Sequence, residues 1–176
     1  NGGGTAAHFG CSNTRLIQMG TFSKALGGFG GFVAGTEDLI HLLINKARPF
    51  IYTTALPPSV LASALAALEL MQSDPRLIQQ LWKNRAYFVQ KISALGFDLL
   101  GSETPIVPLL IGSPEKALAF SEELLEKDLL VSAIRPPTVP KGTARLRVTL
   151  MASHTKEQID ALLHALKCIG RRLKVI

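Results

Sequence analysis

Lys24 stands in the segment GTFSKALGG, residues 20–28, between two hydroxyl side chains, Thr21 and Ser23, and a glycine pair, Gly27 and Gly28. No other charge lies in the stretch. A lysine amine is a nucleophile only when uncharged, and a poorly hydrated setting lowers its pKa from about 10.4 toward neutrality. Schiff-base chemistry with a carbonyl partner needs such an amine. If that partner is pyridoxal phosphate, Thr21 and Ser23 offer hydroxyls to the phosphate, and Gly27 and Gly28 admit backbone N–H groups close to it. A nucleotide P-loop is excluded by order, because its glycines precede a Gly-Lys-Ser/Thr run and here they follow the lysine. The plain alternative is an exposed lysine in a glycine-rich turn.

Two further segments carry candidate ligand groups. In AIRPPTVP, residues 133–140, Arg135 ends an apolar run and two prolines stiffen the chain behind it. A guanidinium on a rigid support suits bidentate capture of a carboxylate, and Thr138 could add a hydroxyl; a surface arginine explains the residue equally well. Arg145 and Arg147, two apart, share one face of a predicted strand, where a solvated face is the common explanation. In IYTTALPP, residues 51–58, Thr53 and Thr54 precede a Pro-Pro helix start. Free N–H groups there bind phosphate, and simple capping is the competing reading. His8, His41, His154 and His164 have no mutual spacing that suggests a metal, and Cys11 and Cys168 offer neither a disulfide framework nor metal-ligand spacing.

The elements that must position these residues are legible from periodicity. RLIQMGTF and GGFGGFVAG read as short buried strands flanking Lys24, which places the lysine at a strand end. A helix is expected over about 37–46, opened by Thr36 and two acids, then an extended RPFIYTTALPP, then a well-buried Ala/Leu-rich helix from the Pro-Pro pair. Asp74 is a candidate cap before Pro75, and a long amphipathic helix over about 76–95 bears apolar residues at Leu77, Leu81, Tyr87, Phe88 and Ile92, stopping at Gly96. Beyond it the rhythm is strand, helix, strand, strand and a capped last helix. The expectation is an α/β chain of two parts, residues 1–75 and 76–176.

Composition narrows the class. The 176 residues are 47% apolar and 18% charged, as in globular proteins. Every apolar run is interrupted well short of a membrane span, so no membrane association is expected. The two cysteines make a reducing cytoplasm the default compartment. The formal net charge of +6 raises the question of nucleic acid. Much of it sits at Lys167, Arg171, Arg172 and Lys174, where cations complement a helix dipole, and no aromatic residues interleave them as a single-strand binder needs. No nucleic-acid partner is expected. NGGGTAAHFG at the start lacks a signal-peptide pattern and reads as a glycine-rich loop entered in mid-course, which suggests part of a longer chain.

Taken together, GTFSKALGGFGGFVAG, IYTTALPP and SAIRPPTVPKGTARLRVTLMASHT resemble, in order and over nearly the whole chain, the α-oxoamine synthases, a family of fold-type I pyridoxal-phosphate enzymes. The resemblance implies a PLP-dependent acyltransferase in which Lys24 carries the cofactor as a Schiff base and Thr21 binds its phosphate. It implies that Thr53 and Thr54 reach the phosphate of a neighbouring subunit in a homodimer. Arg135 would hold the substrate carboxylate and Thr138 contact the substrate. AIRPPTVP looks like the version of that segment found where L-alanine condenses with a pimeloyl thioester, either pimeloyl-CoA or a pimeloyl-carrier protein; members using glycine or serine are the near alternatives. Residues 1–75 would be the C-terminal part of the PLP-binding large domain and 76–176 the small α+β C-terminal domain. The acidic and histidine groups that tune the cofactor ring in this family belong upstream of residue 1, so the 176 residues alone are expected to be inactive.

Overall fold

Helix-forming and strand-forming segments alternate along the chain in a computed structural model that describes residues 2–13 and 15–176. Their order is α1 (Gly4–His8), β1 (Gln18–Thr21), β2 (Gly31–Ala34), α2 (Glu37–Lys46), α3 (Arg48–Ile51), α4 (Pro58–Ser73), α5 (Arg76–Ala94), β3 (Ile106–Gly112), α6 (Pro114–Leu125), β4 (Ser132–Ile134), β5 (Ala144–Thr149) and α7 (Lys156–Arg172). The class is α/β, with two units that meet in sequence between Pro75 and Arg76.

In the first unit β1 and β2 form an antiparallel hairpin, with Thr21 opposite Gly31 and Gln18 opposite Ala34. Gly20 leaves room for its neighbour: a Cβ there would lie 2.6 Å from the end of the Phe32 ring, which would have to shift. The Thr36 hydroxyl accepts the Leu39 N–H and caps α2, whose first turn carries Glu37 and Asp38 where the helix dipole favours acids.

Several expectations fail in this unit. The leading glycine-rich segment contains the short helix α1, and RPFI forms the helical turn α3 where extended chain was expected. Pro49 lies in the first turn of α3, where its missing N–H costs nothing. The strands expected to be buried are largely exposed, because β1 and β2 pair only with each other among the described residues. Helix α4, apolar nearly all round, buries only Ala64.

The second unit holds the core. Its sheet has the order β3-β5-β4, all neighbours antiparallel, so β3 and β4 are parallel to each other with β5 inserted between them. With α6 linking β3 to β4, this is a split β-α-β arrangement. Alternation divides the sheet faces: Ala144, Leu146 and Val148 of β5 point into the core, where Leu146 pairs with Leu109 and Val148 with Val107. Arg145 and Arg147 lie on the other face. Phe120 and Leu124 of α6, Phe88 and Ile92 of α5, and Leu166 and Ile169 of α7 complete the core.

A polar residue sits within the apolar stripe of α5. Asn84, 7% exposed, donates two hydrogen bonds of 2.9 Å to the carbonyls of Met151 and His154, and accepts one from Gln80. It thereby fixes the loop between β5 and α7. Thr155 then opens α7 with a reciprocal capping box with Gln158.

Candidate active site

Lys24 lies on the connection of the β1–β2 hairpin, three residues beyond β1 rather than at the strand end itself. The connection is closed by its own backbone: Phe22 N–H donates to Gly30 O at 3.0 Å, Gly28 N–H to Phe22 O at 2.7 Å and Gly27 N–H to Lys24 O at 2.9 Å. This corrects the expected use of the glycine pair. The N–H groups of Gly27 and Gly28 close the turn instead of facing a ligand, and Gly27 is needed for its φ of +61°. Apart from Gly27 and its chain neighbours, no heavy atom of the described residues lies within 4 Å of where a Gly27 Cβ would be, so the space beside the turn is open.

The turn brings an amine and a hydroxyl together. Lys24 Nζ donates to Thr21 Oγ1 at 3.4 Å, and Thr21, Ser23 and Lys24 are all exposed, so the described residues do not provide the poorly hydrated setting expected for the amine. The IYTTALPP segment lies alongside: Leu56 packs over Gly30, whose hypothetical Cβ would come 3.0 Å from Leu56 Cδ1. Thr53 and Thr54 lie two to three residues before Leu56, on exposed chain between α3 and α4. They do not cap α4, whose N-cap is Pro57 without a side-chain hydrogen bond.

Arg135 and Thr138 belong to the second unit. They are the ends of one tight turn, in which Thr138 N–H donates to Arg135 O at 3.1 Å around a cis Pro136–Pro137 bond. Both side chains are exposed, and no described residue holds the Arg135 guanidinium by hydrogen bond or ion pair. Arg145, opposite Ile134 in the sheet, behaves differently. Its Nε donates to Thr143 O at 2.9 Å and its Nη2 to Thr143 Oγ1 at 3.0 Å, while that hydroxyl donates to Pro140 O. The neighbouring cation is therefore tethered and Arg135 is left available.

The remaining charges organise the helices. Asp160 accepts from Tyr87 Oη at 2.5 Å and from Lys156 Nζ at 2.6 Å, and these partners, Lys156 first, hold its carboxyl below the usual range. The same contact raises the Lys156 ammonium. At the C-terminal end Arg172 pairs with Glu123. His41 is exposed beside Glu37, His8 packs edge-on against Phe9, and His154 Nδ1 accepts the Met151 N–H. No three potential metal ligands gather among the described residues, nor is any helix long and apolar enough to cross a membrane.

Sequence reasoning missed Asn84 and Thr143. Asn84 carried a signal, since it interrupts the stripe Leu81–Phe88–Ile92 at a core position; Thr143 carried none, because its role depends on a loop conformation.

With this geometry in place, the family described as aminotransferase class I and II matches residues 5–166. An 8-amino-7-oxononanoate synthase of Symbiobacterium thermophilum is 46% identical over all of this chain, which covers 45% of that protein. An 8-amino-7-oxononanoate synthase/2-amino-3-ketobutyrate coenzyme A ligase of Thermus thermophilus is 45% identical over 99% of the chain and 45% of its own length. Among solved structures, a serine palmitoyltransferase from S. paucimobilis, obtained with a bound PLP–myriocin aldimine, superposes with a TM-score of 0.91 at 34% identity, over 100% of this chain and 45% of that one. The chain thus spans about 45% of the length of these relatives.

Proposed function

Because the chain belongs to the aminotransferase class I and II family, we propose that it is the lysine-bearing part of a PLP-dependent acyltransferase that condenses L-alanine with a pimeloyl thioester. The products are 8-amino-7-oxononanoate, carbon dioxide and the free thiol, which places the reaction in biotin biosynthesis. The observation that carries this reading is the Lys24 amine 3.4 Å from the Thr21 hydroxyl on a turn with open space beside Gly27. The donor set fits the cofactor: a primary amine for its aldehyde carbon and hydroxyls of Thr21 and Ser23 for its phosphate.

When bound, pyridoxal phosphate supplies an electron sink for the carbon whose proton is removed. The chain does the rest by placement. Lys24 anchors the group and, once released, takes the proton from the substrate α-carbon through Nζ. Arg135, untethered on its stiff turn, holds the amino-acid carboxylate through a bidentate fork, and Thr138 at the other end of that turn contacts the substrate. Residues 1–75 are the C-terminal part of the cofactor-binding domain and 76–176 the small domain. Thr53 and Thr54 serve the phosphate of the partner subunit in a homodimer.

Borohydride reduction of the complete protein should fix the cofactor covalently to a peptide containing Lys24, and Lys24→Ala should abolish it. Labelling that survives Lys24→Ala would exclude this anchor. Glycine in place of alanine is the second reading, favoured by the double name of the Thermus thermophilus relative. A panel of small amino acids against acyl-CoA and acyl-carrier-protein thioesters distinguishes the two and identifies the acyl donor.

A further inference from the structure

The residues 135–143 that lead from β4 to β5 form two turns in series. In the first, Thr138 N–H donates to Arg135 O at 3.1 Å; in the second, Thr143 N–H donates to Pro140 O at 3.2 Å. Gly142 stands third in the second turn with a φ of +77°, the position where a type II turn needs glycine. Only Val139 lies between the two turns, and Pro140 fixes φ directly after it. The direction of the first turn is therefore inherited from the second.

The second turn is clamped from the sheet. Thr143 Oγ1 donates to Pro140 O at 2.7 Å and accepts from Arg145 Nη2 at 3.0 Å, while Arg145 Nε donates to Thr143 O at 2.9 Å. Arg145 is anchored in turn on the central strand, opposite Leu110 of β3 and Ile134 of β4. Thr143 and Arg145 are half-buried, whereas Arg135 and Thr138 are exposed. A guanidinium that engages one residue through both Nε and Nη2 is a strut and not a second carboxylate ligand. We propose that Thr143 and Arg145 are positioning residues: through the Pro140 turn they set where the Arg135 fork stands, and with it the affinity for the carboxylate of the amino-acid substrate. This rests on the role proposed above for Arg135. A fork grips a carboxylate bidentately only in a fitting orientation, so loss of the clamp weakens binding before it touches the bond-making step.

The test is steady-state kinetics of the complete, cofactor-loaded protein with the amino acid varied. Thr143→Val, which keeps the shape and removes the hydroxyl, should raise KM about threefold to tenfold, the range of one or two neutral hydrogen bonds, and leave kcat within about twofold. Thr143→Ser should restore the parent KM. Arg145→Lys, which keeps the charge without the fork, should behave as Thr143→Val does. In an Arg135→Lys background, Thr143→Val should add less than about twofold, because both act through one contact. Without cofactor or substrate, tryptic cleavage after the exposed Lys141 should be faster in Thr143→Val than in the parent. If Arg135→Lys raises KM but Thr143→Val and Arg145→Lys do not, the clamp is overturned and Arg135 stands. A loss confined to kcat, full additivity with Arg135→Lys, or equal cleavage at Lys141 overturns it in the same way. If Arg135→Lys itself leaves KM unchanged, the role of Arg135 falls and the clamp falls with it.

Discussion

Replacing Asn84 by alanine removes two hydrogen bonds of 2.9 Å that hold the Met151 and His154 carbonyls against α5. Each amide–carbonyl bond contributes about 1 kcal/mol net, so the pair comes to about 2 kcal/mol. At a urea dependence of about 2 kcal/mol per molar, the unfolding midpoint falls by about 1 M. Gln80→Ala breaks only the peripheral bond to Asn84 Oδ1 and should cost less than about 0.5 kcal/mol. Asn84→Asp is the sharper probe. It keeps the side-chain size and the Gln80 contact but turns a carboxylate toward two carbonyl oxygens. Burial and that repulsion raise its folded pKa above the ordinary value of about 3.9, so the penalty exceeds that of alanine at neutral pH and recedes as pH falls and the protonated carboxyl donates again. Trp82, the single tryptophan, lies on α5 and reports unfolding of this unit by fluorescence. Equal midpoints for Asn84→Ala and Gln80→Ala at unchanged urea dependence, or an Asn84→Asp penalty independent of pH, would refute the reasoning.

Gly20→Ala brings a methyl 2.6 Å from the Phe32 ring and should cost about 1–3 kcal/mol by overpacking; in the complete protein it should loosen cofactor retention, with partial recovery in the double variant Gly20→Ala/Phe32→Leu. Arg135→Lys exchanges a fork for a point charge and should raise KM for the amino acid about tenfold to a hundredfold with a smaller change in kcat, measured by steady-state kinetics. The Asp160 carboxyl is held below its ordinary value by Lys156 and then Tyr87, so its stabilisation is fully present above the unfolded pKa of about 3.9 and is lost as pH falls through the lower folded value. Urea titrations across pH should therefore find the parent's advantage over Asp160→Asn shrinking toward acid, whereas an advantage constant with pH would contradict that.

Periodicity located the second unit well because its helices and strands bury what their patterns predict: Phe88 and Ile92 on α5, Val107 and Leu109 on β3, Leu146 and Val148 on β5. The first unit was harder to read. Apolar runs such as RLIQMGTF announce burial, yet Met19 is 76% exposed, because burial depends on neighbours that the pattern does not contain. At the site, residue type pointed to Lys24 and Thr21, whose 3.4 Å contact follows from a four-residue turn. The roles of Gly27 and Gly28 N–H groups were misread, since both the turn and a phosphate want such donors and only the backbone path decides between them. The tight turn between Arg135 and Thr138 was readable through the prolines between them; the tether on Arg145 was not.

The inserted strand of the second unit also dictates an order of events. Because β3 and β4 never touch as a ladder, neither has a strand partner among the described residues until β5, which follows both in sequence, slides between them. Val107 waits for Val148, and Ser132 for Arg147. A ribosome-bound chain that ends before residue 144 holds, of the second unit, α5, β3, α6 and β4 but no complete sheet, and α6 lacks the strand β5 against which it packs. Such non-local closure slows folding and prolongs exposure to aggregation and proteolysis, so a premature stop upstream of β5 yields an unassembled chain and not a shortened domain.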